Sequence, residues 1–495
     1  MKKSVNIAVG VVIVAGALIT AGAWYTGTRL ESVLGEAIEQ GNQELKTAFS
    51  SYGGSESIEL LSLDRHFFTS TAHYKLTFQN PQYNEGQPIE LLLVDNIEHG
   101  PFPWSRVKSF NLMPVMAASN MALEKNAFSE KWFAMTSGQP PVTGHFSMGY
   151  DRAGQGRVEF LPFQFTDQDG LFKFSGATLN GSSSADGEKL EASGLLNSLE
   201  VSANSQDGPV QLVVKDLTFN SGGTLGKSGF FLGHNDAKVA SISLQSGAQS
   251  PLQFKDVAYT TLSQEVEGRL NAQMSYDIGN ISFDSKDIGS SQMLWKFANI
   301  DIASTKKLLR IYQEKIEPQT QAALAQGQLY TPQLSAEDRA LLQAEFSKLL
   351  AAKPYIELEK LSLKTASGES HFSLTMDLGS PTSFDQAGSE LLKQLLTQAD
   401  AKLVLSKPMI RDLATLQAKL AGQTDHAAIA QQAQGAADSV GGMAVMLQLG
   451  KVDGDNIVSN VHYANDVVDF NGEKMTAQQF AAAMMGKAGM FIGGK

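Results

Sequence analysis

The sequence contains no cysteine among its 495 residues. Disulfide bonds, thiolate nucleophiles, iron–sulfur clusters and cysteine-ligated zinc are therefore excluded. A chain of this length can fold without disulfides because it can bury a large apolar core, and 42% of its residues are hydrophobic. The length also predicts two or three subdomains rather than one.

Positive charge is scarce as well. The chain has 39 Lys and Arg residues against 51 Asp and Glu residues, which gives a net charge of −12. Proteins that bind nucleic acid need basic patches to replace the counterions of the phosphates, so no nucleic-acid partner is expected.

Recognisable catalytic and metal-binding motifs are also missing. No two of the eight histidines lie four residues apart, and this removes the H-E-x-x-H zinc motif. The sequence predicts no cofactor, no metal ligand and no catalytic residue, and hence a protein that is not an enzyme. A pair of carboxylates brought together by the fold stays open as an alternative, because such pairs leave no local signature.

Long hydrophobic runs are limited to one. Lys2 and Lys3 precede an uncharged apolar stretch, Val5–Ala23, which matches the length needed to cross a hydrocarbon core of about 30 Å. Trp24 and Tyr25 follow where interfacial aromatic residues are common. The lysines predict an inside N-terminus, so the sequence indicates a single-pass membrane protein whose C-terminal bulk is exported.

A cleaved signal peptide is the alternative for this segment. Ala21–Ala23 fits the small-residue cleavage pattern, although the apolar stretch is longer than a usual h-region. Ala17 and Ala21 have the small-xxx-small spacing that could pack two anchors into a homodimer. In a segment rich in Ala and Gly, however, this spacing also arises by chance.

The remaining sequence predicts an α+β fold. Residues 28–49 have helical apolar spacing, whereas residues from about 58 to 302 alternate with the period of a strand that has one covered face, most clearly in 270–278. Gly/Ser/Asn/Asp clusters at 180–184, 206–208 and 221–223 predict turns. The expected segments are an anchor (1–27), a membrane-proximal helix (28–52), a large, mainly antiparallel β-rich domain (53–302) and an α+β C-terminal region (303–495) that contains most helices.

Helix starts can be predicted from capping residues. The expected N-caps are Ser304, Ser335 with Asp338 three residues later, Ser383 with Gln386, Ser406, and Thr476 with Gln479. The Ala/Gln/Gly-rich segment 422–442 is consistent with either a weak helix or a mobile linker.

One local cluster is unusual. It consists of His99, Gly100, Pro101, Phe102, Pro103 and Trp104. The prolines fix φ and the glycine permits an unusual turn, so the two aromatic side chains are held rigidly. They could form an aromatic binding surface, or they could plug the core at a stiff corner.

This cluster begins a resemblance to a known family. The chain resembles the YdgA family of bacterial proteins, which have no assigned biochemical function. The residues that carry the resemblance are 99–104, 22–27, Asn111–Pro114, 400–403, Tyr463–Asn465 and Asn471–Met475. The resemblance implies an inner-membrane anchor and a periplasmic domain, and it transfers no catalytic residues. Asp466 replaces a glycine of the family pattern, so a longer or different loop is expected there.

Three functions fit the sequence. The first is a non-enzymatic envelope protein that binds lipid or another apolar ligand along a groove of the sheet, loosely similar to AsmA-type proteins; fold analogy alone is a weak argument. The second is an envelope scaffold or assembly factor that acts through protein partners by an exposed apolar patch or a free strand edge. The third is a hydrolase of cell-wall or glycan material.

Overall fold

The computed structural model describes most of the chain as two compact units. The described residues are 35, 38, 39, 41–43, 45, 55–79, 87–167, 170–205, 208–247, 249–325, 333–384 and 388–492. The first unit comprises Met1–Gln249 and Lys315–Pro332, and the second comprises Ser250–Glu314 and Gln333–Lys495. The predicted anchor, with Trp24 and Tyr25, lies outside the described residues.

The first unit is built on an antiparallel sheet. Its strands are β1 (Ser55–Arg65), β2 (Thr69–Gln79), β3 (Ile89–His99), β4 (Ala117–Leu123), β5 (Val142–Met148), β6 (Gly154–Phe160), β7 (Phe163–Thr166), β8 (Gly170–Phe174), β9 (Ala177–Ser183), β10 (Lys189–Ala203), β11 (Val210–Leu225) and β12 (Phe231–Ser246). Strands β1 to β6 pair in chain order, β6 then pairs with β9, and β9 to β12 pair in order. β8 pairs with the C-terminal part of β10 and with β7. Two short helices, α1 (Trp104–Lys108) and α2 (Glu130–Met135), interrupt the strands.

The core of this unit lies on one face of β1 to β6. Burial alternates along β2 and β3 with the period of two that the sequence predicts. Phe133 of α2 packs into this core, and so does Leu45, which belongs to a group of helical residues before β1. The sealed part of the sheet is therefore its first half.

The second unit combines antiparallel strands with helices. Its strands are β13 (Leu252–Val266), β14 (Arg269–Phe283), β15 (Lys286–Asp301), β16 (Tyr355–Lys364), β17 (Glu369–Leu378), β18 (Leu396–Ser406), β19 (Lys451–Asp453), β20 (Asn456–Ala464), β21 (Val467–Phe470) and β22 (Glu473–Thr476). They pair in chain order up to β18, which pairs with β20; β20 also pairs with β19 and β21, and β21 with β22.

Most helices lie in the C-terminal part of the chain. They are α3 (Ile302–Ile311), which continues into a π-helical turn (Tyr312–Ile316), α4 (Glu317–Ala325), α5 (Ala336–Ala351), α6 (Gly388–Leu395), α7 (Lys407–Leu420), α8 (His426–Met446) and α9 (Ala477–Ile492). Helix α4 belongs to the first unit and the others to the second. The predicted combination of a large antiparallel sheet and C-terminal helices is confirmed. Among the described residues, no helix has the length and apolar character that a membrane crossing requires.

Two turn predictions are wrong, and the reason is the same for both. Asn180–Ser183 belongs to β9, and Ser221–Gly223 belongs to β11. Small polar residues are typical of turns, but the paired strands on both sides supply the backbone hydrogen bonds that hold these segments extended. The predicted turn at 206–208 falls between β10 and β11, with Gln206 and Asp207 outside the described residues.

The loop expected to change at Asp466 keeps two residues. Ala464 pairs directly with Val467, and both Asn465 and Asp466 have positive φ angles, 52° and 64°. Asp tolerates the left-handed region better than most residues. The Asp466 carboxylate also forms an ion pair with Lys393, in which Oδ2 lies 3.0 Å from Nζ. The glycine is therefore dispensable at this hairpin.

Candidate functional site

The histidine of the unusual cluster holds a neighbouring turn. The backbone N–H of His99 donates to the Phe68 carbonyl at 2.8 Å. Its ring Nδ1 lies 3.3 Å from the Phe67 carbonyl and its Nε2 lies 3.0 Å from Ser70 Oγ. A carbonyl can only accept, so Nδ1 carries a proton, and in the neutral ring the Ser70 hydroxyl then donates to Nε2. His99 thereby ties the β1–β2 turn to the end of β3.

Gly100 begins an excursion that runs to Met116. Its N–H donates to the Met116 carbonyl at 2.8 Å, and the Val115 N–H donates to the Pro101 carbonyl at 3.0 Å. A Cβ at Gly100 would collide with the Val115 carbonyl oxygen. The excursion is thus closed at its base by backbone hydrogen bonds that only glycine permits.

The aromatic side chains of the cluster point to solvent. Phe102 is 57% exposed and Trp104 is 62% exposed, so the interpretation that they plug the core is wrong. Pro103 is buried and directly precedes α1. The proline ring, rather than the aromatic rings, fills the interior.

Further large apolar side chains are exposed in the same excursion and in the β1–β2 turn. We define the apolar rim as Phe67, Phe68, Phe102, Trp104, Phe110, Leu112 and Met113, all of which are exposed. The exposed fraction reaches 87% for Phe67, 90% for Phe110 and 75% for Met113. Several large apolar side chains exposed in neighbouring loops indicate an interaction site, whereas a single exposed apolar residue does not.

Strand register places the apolar rim at one end of the sheet. Thr69 pairs with Glu98, His99 pairs with Ala117, and Ala117 pairs with Met148. The turns before β2, between β3 and β4, and between β5 and β6 therefore lie at the same end. Tyr150, in the last of these turns, is exposed as well.

A polar groove of about 880 Å³ lies beside the excursion. One row of its lining residues is in direct register across seven strands: Asn120, His145, Arg157, Asn180, Ser193, Asn220 and Asp236. A second row, one pleat away, contains Ser147, Gln155, Ser182, Glu191 and His234. Amides, hydroxyls and both signs of charge suit hydrogen bonding to a polar ligand, whereas an acyl chain would desolvate them at a cost.

Arg106 of α1 extends over this groove. Its Nη1 donates to Ser147 Oγ at 3.2 Å and its Nη2 donates to Asn111 Oδ1 at 2.8 Å. Its Nε–H is buried and has no acceptor among the described residues. The guanidinium therefore joins the excursion to the floor of the groove. The sequence missed this groove because its polar residues, several of them in predicted turns, come together only through strand pairing.

An open apolar surface lies in the second unit. The pairing of β13, β14 and β15 aligns Tyr259 with Tyr276 and Met293, Met274 with Trp295, and Ala272 with Phe297. We define the apolar face as Tyr259, Met274, Tyr276, Met293, Trp295 and Phe297. None of them is buried, and every residue of β15 is half-buried except Asp287, which is exposed.

The packing of this sheet explains the openness. A sheet face that is sealed by a second layer has buried residues at alternate positions, as β2 and β3 do. No residue of β11 or β12 in the first unit, or of β13 or β15 in the second, is buried. These long strands are thus not tightly covered on either face.

Metal-binding geometry is not found in the described part of the chain, where no three His, Asp or Glu residues are grouped for an ion. His73 lies 3.0 Å from Glu124 and His462 lies 2.6 Å from Asp400. Neither pair lines the polar groove.

Comparison with known proteins shows relatives over the whole chain. A family described as "Bacterial protein of unknown function (DUF945)" matches residues 1–478. Protein YdgA of Escherichia coli is 28% identical across 97% of this chain and 96% of that protein. The uncharacterized protein YihF of the same organism is 23% identical across 98% and 99% of the two chains. No solved structure matches. The resemblance read from the sequence is confirmed, and the chain belongs to the DUF945 family of bacterial proteins.

Proposed function

We propose that this chain is a non-enzymatic, inner-membrane-anchored protein of the bacterial periplasm that binds lipid or another apolar chain along its open sheet. The single observation that supports ligand binding most is the apolar face. The rings of Trp295 and Phe297 are stacked there with their centroids 6.0 Å apart, and both side chains remain partly exposed. Large apolar side chains that stay partly exposed leave a surface on which an apolar ligand gains free energy.

The magnitude of that gain is sufficient for useful affinity. Burial of one methylene group contributes about 0.8 kcal/mol, so a chain of ten methylenes contributes on the order of 8 kcal/mol before the cost of association. The apolar face spans neighbouring strands about 4.8 Å apart. An extended acyl chain laid across the strands therefore meets a new apolar side chain at each step.

The anchor in this proposal rests on the sequence. Val5–Ala23 is charge-free and follows two lysines, and this arrangement favours export of the C-terminal bulk. Fusion of alkaline phosphatase after Lys495 tests the topology, because the reporter is active only in the periplasm. An inactive but intact fusion would contradict the proposed localisation.

Ligand binding is tested by photocrosslinking in cells with the full chain. We would place p-benzoylphenylalanine at Met274, on the apolar face, and at Gln273, its neighbour on the opposite face. Ultraviolet light should couple lipid to the Met274 variant, which mass spectrometry of the purified protein detects. Equal labelling of both variants, or none, would contradict binding along this face.

A further inference from the structure

We propose that the apolar rim of the first unit docks on the surface of a phospholipid bilayer. This inference goes beyond ligand binding by the sheet, because it concerns loop side chains at a strand end. It does not depend on the apolar face, which lies in the other unit.

Composition supports a bilayer as the partner. The excursion from Gly100 to Met116 contains three aromatic residues, two cations (Arg106 and Lys108) and no acidic residue, in a chain whose net charge is −12. Aromatic side chains favour the membrane interface, and nearby cations are attracted to anionic headgroups. Lys108 Nζ lies 5.6 Å from the centre of the Trp104 ring, so charge and aromatic surface are presented together.

Rigidity supports docking as well. The base of the excursion is closed by the hydrogen bonds of Gly100 and Val115, and the Ser105 N–H and hydroxyl donate to Glu98 Oε2 at 2.8 and 2.7 Å. Phe67 and Phe68 contact each other edge to face, with ring centroids 4.7 Å apart. Side chains held outward in advance lose little conformational entropy when they enter a headgroup layer.

The opposite end of the sheet lacks this character. Among the described residues of its turns, Phe128 alone is large, apolar and exposed. Among the turns that the structure describes, the exposed large apolar side chains are therefore concentrated at one end of the sheet. Phe128 supplies a matched control, because it is the same residue type as Phe67 and Phe110 but lies at the opposite end of the sheet.

The absence of cysteine makes a site-specific test possible. The full chain would be prepared as three single-cysteine variants, Phe67→Cys, Phe110→Cys and Phe128→Cys, each labelled with the environment-sensitive fluorophore NBD. Each would be reconstituted in vesicles of phosphatidylethanolamine and phosphatidylglycerol. Two rim positions are used so that a misfolded variant does not decide the result.

Quenching reports where each label lies. Nitroxide-labelled lipid is placed either in the same vesicles or in a second population of vesicles added afterwards, which separates docking on the anchoring bilayer from docking on an opposed one. We expect the NBD emission of both rim labels to shift to shorter wavelength and to be quenched by the nitroxide-labelled lipid in one of these two vesicle arrangements. The Phe128 label should stay sensitive to iodide in the water and insensitive to the nitroxide lipid.

Two results would overturn the proposal. One is iodide sensitivity of both rim labels equal to that of the Phe128 label in both arrangements. The other is protection of the rim labels in native envelope membranes but not in pure lipid, which would identify a protein partner instead. As a further check, Lys108→Glu should weaken nitroxide quenching only when the vesicles contain phosphatidylglycerol.

Discussion

The side-chain amide of Asn42 makes two hydrogen bonds with the backbone of Ile58. Asn42 Nδ2 donates to the Ile58 carbonyl at 3.0 Å, and the Ile58 N–H donates to Asn42 Oδ1 at 2.6 Å. Strand β1 pairs with β2 through the described residues, and the amide imitates a further strand at its outer edge. An otherwise open edge is thereby satisfied at a buried residue.

Replacement of this amide should loosen the edge. We expect Asn42→Leu to lower the free energy of unfolding by about 1–3 kcal/mol, because a buried N–H and C=O lose their partners. Urea denaturation measures the change, and hydrogen exchange at the Ile58 amide should accelerate. Glu39→Ala, an exposed change three residues earlier, serves as the control. Unchanged exchange at Ile58 would contradict the role of Asn42.

The buried hydroxyl of Tyr74 is expected to lower the free energy of unfolding. The side chain is 1% exposed and its Oη has no hydrogen-bond partner among the described residues. Tyr74→Phe should raise the free energy of unfolding by about 1 kcal/mol, since it removes an unsatisfied polar atom and keeps the ring. Tyr150→Phe, at an exposed position, should have no effect. A less stable Tyr74→Phe protein would reveal a partner for the hydroxyl.

The carboxyl of Asp95 should make stability depend on pH. It lies within the core face, and burial raises its pKa to about 6, partly offset by the Ser119 hydroxyl that donates to it at 2.6 Å. The folded state holds this proton more tightly than the unfolded state, whose pKa is about 3.9. The contribution of Asp95 to stability should therefore be greatest below pH 4, fall as the pH rises from 4 through 6, and then level off.

Asp95→Asn isolates this contribution. The variant should match the parent near pH 4 and exceed it by about 2–3 kcal/mol above pH 7, because two pKa units correspond to that difference. Urea titrations across this pH range provide the measurement. Ser119→Ala should extend the decline to higher pH and enlarge it, since it removes a hydrogen bond that favours the charged form. Parallel curves for the parent and Asp95→Asn would disprove the assignment.

Two glycines should respond to alanine in opposite directions. Gly100→Ala introduces a Cβ against the Val115 carbonyl, and we expect a loss of about 1–3 kcal/mol from the forced backbone shift. Gly435 lies inside α8 with open space around its Cα, so Gly435→Ala should gain about 0.5–1 kcal/mol of helix propensity. Thermal unfolding of both variants tests the pair. A tolerated Gly100→Ala would show that the excursion can open at its base.

Local signals in the sequence predicted many element boundaries correctly. Ser335 accepts from the Asp338 N–H, Ser406 accepts from the Met409 N–H, and Thr476 and Gln479 form the reciprocal cap. The expected cap at Ser304 is wrong by three residues, because Asp301 occupies the N-cap and accepts from the Ser304 N–H. Both residue types can cap a helix, and the end of β15 decides which one does. The segment 422–442 lies within helix α8 apart from its first residues.

The boundary between units was not predictable in the same way. The sequence placed a change at residue 302, where α3 begins, whereas the compact units divide after Gln249. A change of periodicity marks the change from strands to helices. Compactness depends instead on contacts between strands, and neither β12 nor β13 has a buried residue that would mark the boundary.

The sequence by itself determined the α+β class, the antiparallel strands and the helix caps, since each depends on residues within a few positions of one another. Only the tertiary structure decided that Phe102 and Trp104 face solvent, that Asn180 and Asn220 line one groove, and that Trp295 lies on an open face. These outcomes depend on strand register and on whether a second layer covers the sheet. Both are set by contacts between residues far apart in the chain, and no local period or spacing encodes them.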